Sequence, residues 1–352
     1  MRRLLALLSL SLILSPTLYA DDGAASIAAG GIIVMKREPR IVMSKEVLQI
    51  GGSPGVIVDY DFRNDSDEDV TTEVAFPIPA YEFDGMSCCN YATRQGFDDF
   101  KLWVNQRPIQ FTTETRAFVG NKEVTDLLKK LAVDAGSFGH YQDSIYMQRR
   151  MDGKSWDIER LTDAQRQRLI AVKAFDDGSP SWRVEKKYHW TQTFPAHAII
   201  HIRHEYTPDM GNSSSIGDVS HYNPKNEENG ELATFCPTPA LLQSLKNTGY
   251  TDEDPTGLFY IDFILTTANT WKTPIEDFTL IVTRDTNPGY KVNYVSFCWD
   301  GPVTKLDASH FSAHLTNFTP KKELSIGYIQ SDWTEKQKKA NRKWNADHHI
   351  PQ

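Results

Sequence analysis

Residues 55–78 read GVIVDYDFRNDSDEDVTTEVAFPI. Val56, Val58, Tyr60 and Phe62 fall on alternate positions, with Asp59, Asp61 and Arg63 between them. Successive side chains of a strand point to opposite faces, so this period of two marks a half-buried strand. The polar run from Asn64 to Asp69 turns the chain, after which Val70, Thr72, Val74, Phe76 and Ile78 resume the alternation. The two stretches are expected to pair as a hairpin. Asp65, Asp67 and Asp69 alternate as in an ion-binding loop, but the Gly and distal Glu of an EF-hand are absent. Asn, Asp and Ser favour turns for backbone reasons, so the run reads as a solvated turn and no metal is expected.

The same pattern extends outward. Lys101 to Val104, a turn near Asn105-Gln106 and the stretch from Pro108 to Thr113 read as a second hairpin, with Pro108 at a strand start or edge. Helical signals follow. Asn121 is placed to cap a short helix through Leu131, and Thr162 with Gln165 makes a capping-box pattern. Strands return at 183–192 and 198–206, and Thr238-Pro239 opens a third helix. Further strands are expected at 258–266, 278–283, 292–298 and 324–329. Aromatic residues at 11%, with abundant Val, Ile and Thr, favour the same class. The expected fold is mainly β, two β-sandwich-like regions at 21–119 and 181–331 with a helical insertion at 120–180 between them. A polar, basic tail covers 332–352 and reads as a solvated helix.

The first 20 residues read as a secretory signal: Arg2 and Arg3, an apolar run from Leu4 to Leu14, Ser15-Pro16, and a cleavage site after Ala20. That run is shorter than the roughly 20 residues a membrane span needs. Loss of the two arginines takes the formal charge from −8 to −10. An acidic chain without a basic stripe is a poor partner for nucleic acid. Export to the periplasm or beyond also gives meaning to the four cysteines. Cys236 with Cys298 is the preferred bridge, since both lie in the second half of the chain. Cys88 and Cys89 are then left as a vicinal pair or as thiols. Zinc spacing of the CxxC or Cys/His kind is absent.

Candidate chemistry gathers at His197, His201, His204 and Glu205. On a strand His201 and His204 point to opposite faces. His204 shares its face with Ile200, Ile202 and Tyr206 and reads as a core histidine. His197 and His201 share the other face but stand roughly 13 Å apart, too far for one ion. HExxH, GxSxG and the Walker phosphate loop are all missing, so no catalytic residue, cofactor or metal is assigned.

The stretches AAGGIIVMKREPRIVMSKEVLQI, VDYDFRNDSDEDVTTEVAFPIP, YHWTQTFPAHAIIHIRHEYTPDMG, FCPTPALLQSL, TANTWKTPIEDFTLIV and SFCWDG resemble, in this order, the bacterial exported family known as domain of unknown function 4424. The resemblance implies export and one continuous unit, and brings no known activity. The Cys88-Cys89 insert departs from it. VIVDYDFRN, TTEVAFPIP and FKLWVNQRPIQFTTETRAF are also similar to the vault and inter-alpha-trypsin-inhibitor type domain, which implies a β-sandwich. The metal-binding adhesion domain that usually accompanies it is missing.

Two functions follow as expectations. One is a non-catalytic envelope protein that binds a protein or polymer through its sheet faces or loops; an exposed aromatic patch with Trp271 or Trp299 in it would mark it, although each of the two reads more readily as a buried core aromatic. The alternative is a hydrolase acting on envelope material, built from His201, Glu205 and Asp262.

Overall fold

The computed structural model describes residues 23–27, 33–51, 55–83, 99–140, 157–208, 210–213, 216, 219–225, 227–247, 257–284 and 292–330. The leader, the Cys88-Cys89 pair and the basic tail lie outside them. The described chain is mainly β.

The strand read from residue 56 runs Val56–Asn64, and the next runs Val70–Pro77. They do not pair. Val56–Asn64 lies in an eight-stranded sheet and Val70–Pro77 in a seven-stranded one, so the expected hairpin is corrected to a crossing between sheets. Asn64, fully buried, makes the crossing. Its Nδ2 donates to the carbonyls of Glu68 and Phe194, both at 2.8 Å, and its Oδ1 accepts from Ser66 N at 3.0 Å and Ser66 Oγ at 2.7 Å. A period of two states which residues face the core; it does not state which strand is the neighbour.

In the eight-stranded sheet the order is Thr304–Lys305, His310–Phe318, Ile275–Thr283, Ile41–Ile50, Val56–Asn64, Ile199–Tyr206, Lys101–Val104 and Arg107–Pro108. Ile275–Thr283 joins Ile41–Ile50 in parallel, with Phe278 opposite Glu46. The seven-stranded sheet centres on Arg183–Phe194, which pairs with Val70–Pro77 on one side and Thr112–Val119 on the other. Strands from 21–119 and from 181–331 are therefore mixed within both large sheets. A four-stranded sheet orders Gly211–Ser213, Gly257–Phe263, Leu324–Gln330 and Val292–Phe297.

The three sheets meet in one core. Val58, Tyr60 and Phe62 of the eight-stranded sheet, Val74, Phe76 and Phe194 of the seven-stranded sheet, and Phe263, Leu324 and Ile326 of the four-stranded sheet all belong to it. Phe62 meets Phe194 with ring centroids 5.8 Å apart, and Phe76 meets Phe263 at 6.4 Å.

The insertion has its own small core around Leu128, Phe138, Ile158, Leu169 and Trp182. Val184 joins this cluster, while Tyr188 and Trp190 on the same face of the same strand join the main core. One sheet face thus serves both. The Thr162–Gln165 capping box is present ahead of the helix Asp163–Ala171. Asn121 is not a cap. It lies in the turn between Thr112–Val119 and the short strand Lys122–Glu123, and the helix begins only at Thr125.

A helical cap covers the other face of the four-stranded sheet, where Leu258 and Ile329 pack with Leu232, Phe235 and Leu245. Phe235 lies so close to Gly327 that a Cβ there would come within 2.7 Å of its ring. The helix Pro239–Asn247 is capped by Thr238, whose hydroxyl accepts from Leu241 N at 3.1 Å. Cys236 and Cys298 are disulfide-bonded, with Cα atoms 5.0 Å apart. No helix of the described residues is long and apolar enough to cross a membrane.

Candidate functional site

Alternation that buries Tyr60, Phe62, Ile202 and Tyr206 turns the intervening residues outward, and pairing aligns them into rows. His201 stands opposite Asp61, and Arg203 stands between Asp59 on one neighbouring strand and Trp103 on the other. Directly opposite side chains have Cβ atoms about 4.5–5.5 Å apart, which brings these groups into contact. Arg203 Nη1 donates to both oxygens of Asp59, at 3.0 and 2.8 Å, and its Nε and Nη2 donate to Glu205 Oε1 at 3.0 and 2.6 Å. Burial pulls the Arg203 guanidinium down, but the bonds from Glu205 and Asp59 outweigh it and hold the group above its ordinary value. His201 Nδ1 lies 2.9 Å from Asp61, and Nε2 lies 3.3 Å from Asp59.

The edge hairpin closes this row into a cleft. Asn105 and Gln106 both have positive φ, 48° and 65°, the turn whose twist suits two-residue hairpins. Asn105 is tied to the central strand, its N donating to His201 O at 2.8 Å and its Oδ1 accepting from His201 N at 3.0 Å. Trp103, Gln106, His201, Arg203 and Glu205 then line a half-open cleft of about 230 Å³.

His201 and Glu205 were legible as outward residues of one strand, and the fold brings them together. His204 is fully buried on the opposite face, ringed by Phe100 at 5.0 Å, Phe76 at 5.1 Å, and Tyr60 and Trp190 at 5.6 Å. His197 sits in the turn before the strand and meets Asp67 at 2.9 Å. Asp262 lies on the four-stranded sheet, where it accepts from Ser325 Oγ. It is not part of the cleft.

Each aspartate of the 65–69 turn has a different protein partner. Asp65 meets Arg63 and Lys272, Asp67 meets His197, and Asp69 accepts from Ala196 N. Among the described residues no group of three or more His, Cys, Asp or Glu side chains is arranged to hold an ion.

Trp271 and Trp299 follow the core reading, not the anchor one. Trp271 is 1% exposed in the main core, and Trp299 stacks on Phe278 at 5.7 Å. Trp103, Gln106 and Arg203 are the cleft residues that sequence reading missed. A usable signal was the Asn-Gln pair at a two-residue turn, where Asn-Gly is the relaxed choice.

The sequence matches the family described as Domain of unknown function (DUF4424) over residues 20–326. The chain belongs to this family. No curated protein sequence matches this DUF4424 protein. Among solved structures it is similar to a crystal structure from Legionella pneumophila described as a "putative nutrient binding protein". The two are 14% identical, over 87% of this chain and 72% of the other, with a TM-score of 0.39.

On the DUF4424 chain the charged face continues past the cleft. Arg63 donates to both oxygens of Glu276, at 2.7 and 2.8 Å, and to Asp65 at 2.7 Å. The hydrogen bonds from Arg63 hold the Glu276 carboxyl below its ordinary 4.5, against the upward pull of burial. A carboxyl depressed on folding stabilises the fold above its unfolded value, and that contribution is lost as pH falls through the folded value. Glu276→Gln is therefore expected to lower stability at neutral pH by under about 1 kcal/mol, because the pair is partly solvated. The gap to wild type should close below the ordinary 4.5. Urea unfolding of both proteins at neutral pH and in acid checks this; a gap that persists in acid refutes it.

Proposed function

We propose that this DUF4424 protein is an exported, non-catalytic binding protein that holds an envelope protein or polymer on the outer face of its eight-stranded sheet. The observation that carries the reading is the Trp103 cleft, where an aromatic ring adjoins mixed donors and acceptors held on paired strands. Sites that recognise ligands combine apolar or aromatic walls with a few placed polar groups, and they are sharpest on rigid elements. The leader read at residues 1–20 supports a periplasmic or secreted location. The disulfide is compatible with an oxidising compartment.

A hydrolase gathered from His201, Glu205 and Asp262 has less support. Only the first two line the cleft, and Glu205 is engaged by Arg203 through Oε1.

The test is capture from envelope fractions by the tagged protein and its Trp103→Ala variant. Loss of the indole is expected to lower retention at least about tenfold, since buried aromatic anchors carry most of such contacts. Equal retention by the two proteins would overturn the reading.

A further inference from the structure

We infer that the Trp103 cleft is a saccharide site, built for uncharged sugar rings of a polymer. This rests on the binding reading above and names its ligand.

The first ground is the inventory of groups left over. Of the five N–H groups of a guanidinium, Arg203 uses Nε, one from Nη2 and those of Nη1 on its two carboxylates, which leaves a donor spare. Among the described residues Glu205 Oε2, the Gln106 amide and the Trp103 Nε1–H take no part in a protein hydrogen bond. The cleft thus offers both donors and acceptors beside an indole. A pyranose has the complementary form. Its axial C–H groups make an apolar face that stacks on an aromatic plane, and each hydroxyl on its rim both donates and accepts.

Charge is the second ground. Asp59, Asp61 and Glu205 each already meet a cation or a histidine, and Arg203 already meets two carboxylates. A phosphate or a uronic acid would find no unpaired cation among these residues. An ammonium would have to compete with Arg203 for the carboxylates it already holds. A neutral ring displaces none of the pairs and uses only what they leave over.

Size and strain complete the argument. At about 230 Å³ the cleft is smaller than the roughly 300–1,000 Å³ of sites that enclose a whole small ligand, and it is half open. It suits one ring of a chain that continues across the sheet. Gln106 holds φ at +65°, where glycine is relaxed and a side chain is strained. Strain kept at a ligand-facing turn points to a use for the side chain that the fold itself does not need.

The experiment measures binding of the full chain to cellohexaose, maltohexaose, hexa-N-acetylchitohexaose and the neutral polysaccharide fraction of envelopes, with polygalacturonate as the anionic probe and polylysine as the cationic one. Wild type is expected to bind at least one neutral probe in preference to both charged ones. Trp103→Ala should weaken that binding at least about tenfold, and Gln106→Gly should weaken it about threefold to tenfold while raising Tm. The rise in Tm excludes a folding defect as the cause. Binding confined to a charged probe, or full affinity in Gln106→Gly, overturns the inference. Envelope capture that depends on Trp103 without any neutral saccharide bound overturns the sugar alone and leaves the binding reading standing. Capture indifferent to Trp103 overturns both.

Discussion

Trp271→Ala is expected to cost about 3–5 kcal/mol of stability, the range for truncating a large buried aromatic. The indole is 1% exposed, with its ring 4.7 Å from Phe62 and 6.1 Å from Phe194. Those two rings belong to different sheets, so the cavity would open where the sandwich is joined rather than within one layer. The backbone around it is also committed. Glu38 N donates to Thr270 O and Lys272 N donates to Ile41 O, each at 2.8 Å, so the segment has little freedom to collapse into the void. Trp271→Phe should recover a large part of the loss, because it restores an aromatic contact with Phe62. Urea unfolding of the three proteins measures the difference, and a loss below about 1.5 kcal/mol for the alanine variant would contradict a core role.

Removing the Cys236–Cys298 bridge should be of comparable size. The linked residues are 62 apart, and closure of a loop of that length is worth about 4 kcal/mol in the chain-entropy account. Locally, the bond ties the link between the cap helices Glu227–Ala233 and Pro239–Asn247 to the edge of the four-stranded sheet. Ser296 Oγ donates to Phe235 O at 2.9 Å alongside it. Double substitution by alanine is the cleaner experiment than reductant, because it removes this bridge alone. The cap should then lose hydrogen-exchange protection ahead of the main core. A change in unfolding free energy under about 1 kcal/mol, with the cap still protected, would show that packing of Phe235 on Gly327 suffices.

The faces of the strands were legible, and their neighbours were not. Val56 to Phe62 announced an inner and an outer side because side-chain period depends only on local geometry. Pairing depends on distant residues, and there the hairpin reading of 55–78 failed. Asn64 looked like one more polar turn residue, yet its amide spans Glu68 and Phe194, a contact made only when the sheets close. Ile41–Ile50 escaped notice as a strand because a bulge between Met43 and Lys45 shifts its alternation. The candidate site divides in the same way. His201 and Glu205 could be placed on the outer face from spacing alone. Trp103 and Gln106 come from an edge hairpin whose position beside them is set by the sheet order.

Ile41–Ile50 receives its parallel neighbour from the far end of the chain, so assembly has a late step built into it. Until Ile275–Thr283 arrives, one side of the central strand has no partner. Pairings this distant in sequence close slowly, and an unfilled edge invites other chains meanwhile. The order of arrival therefore decides when the molecule becomes safe, and it depends on its late strands to cover that edge.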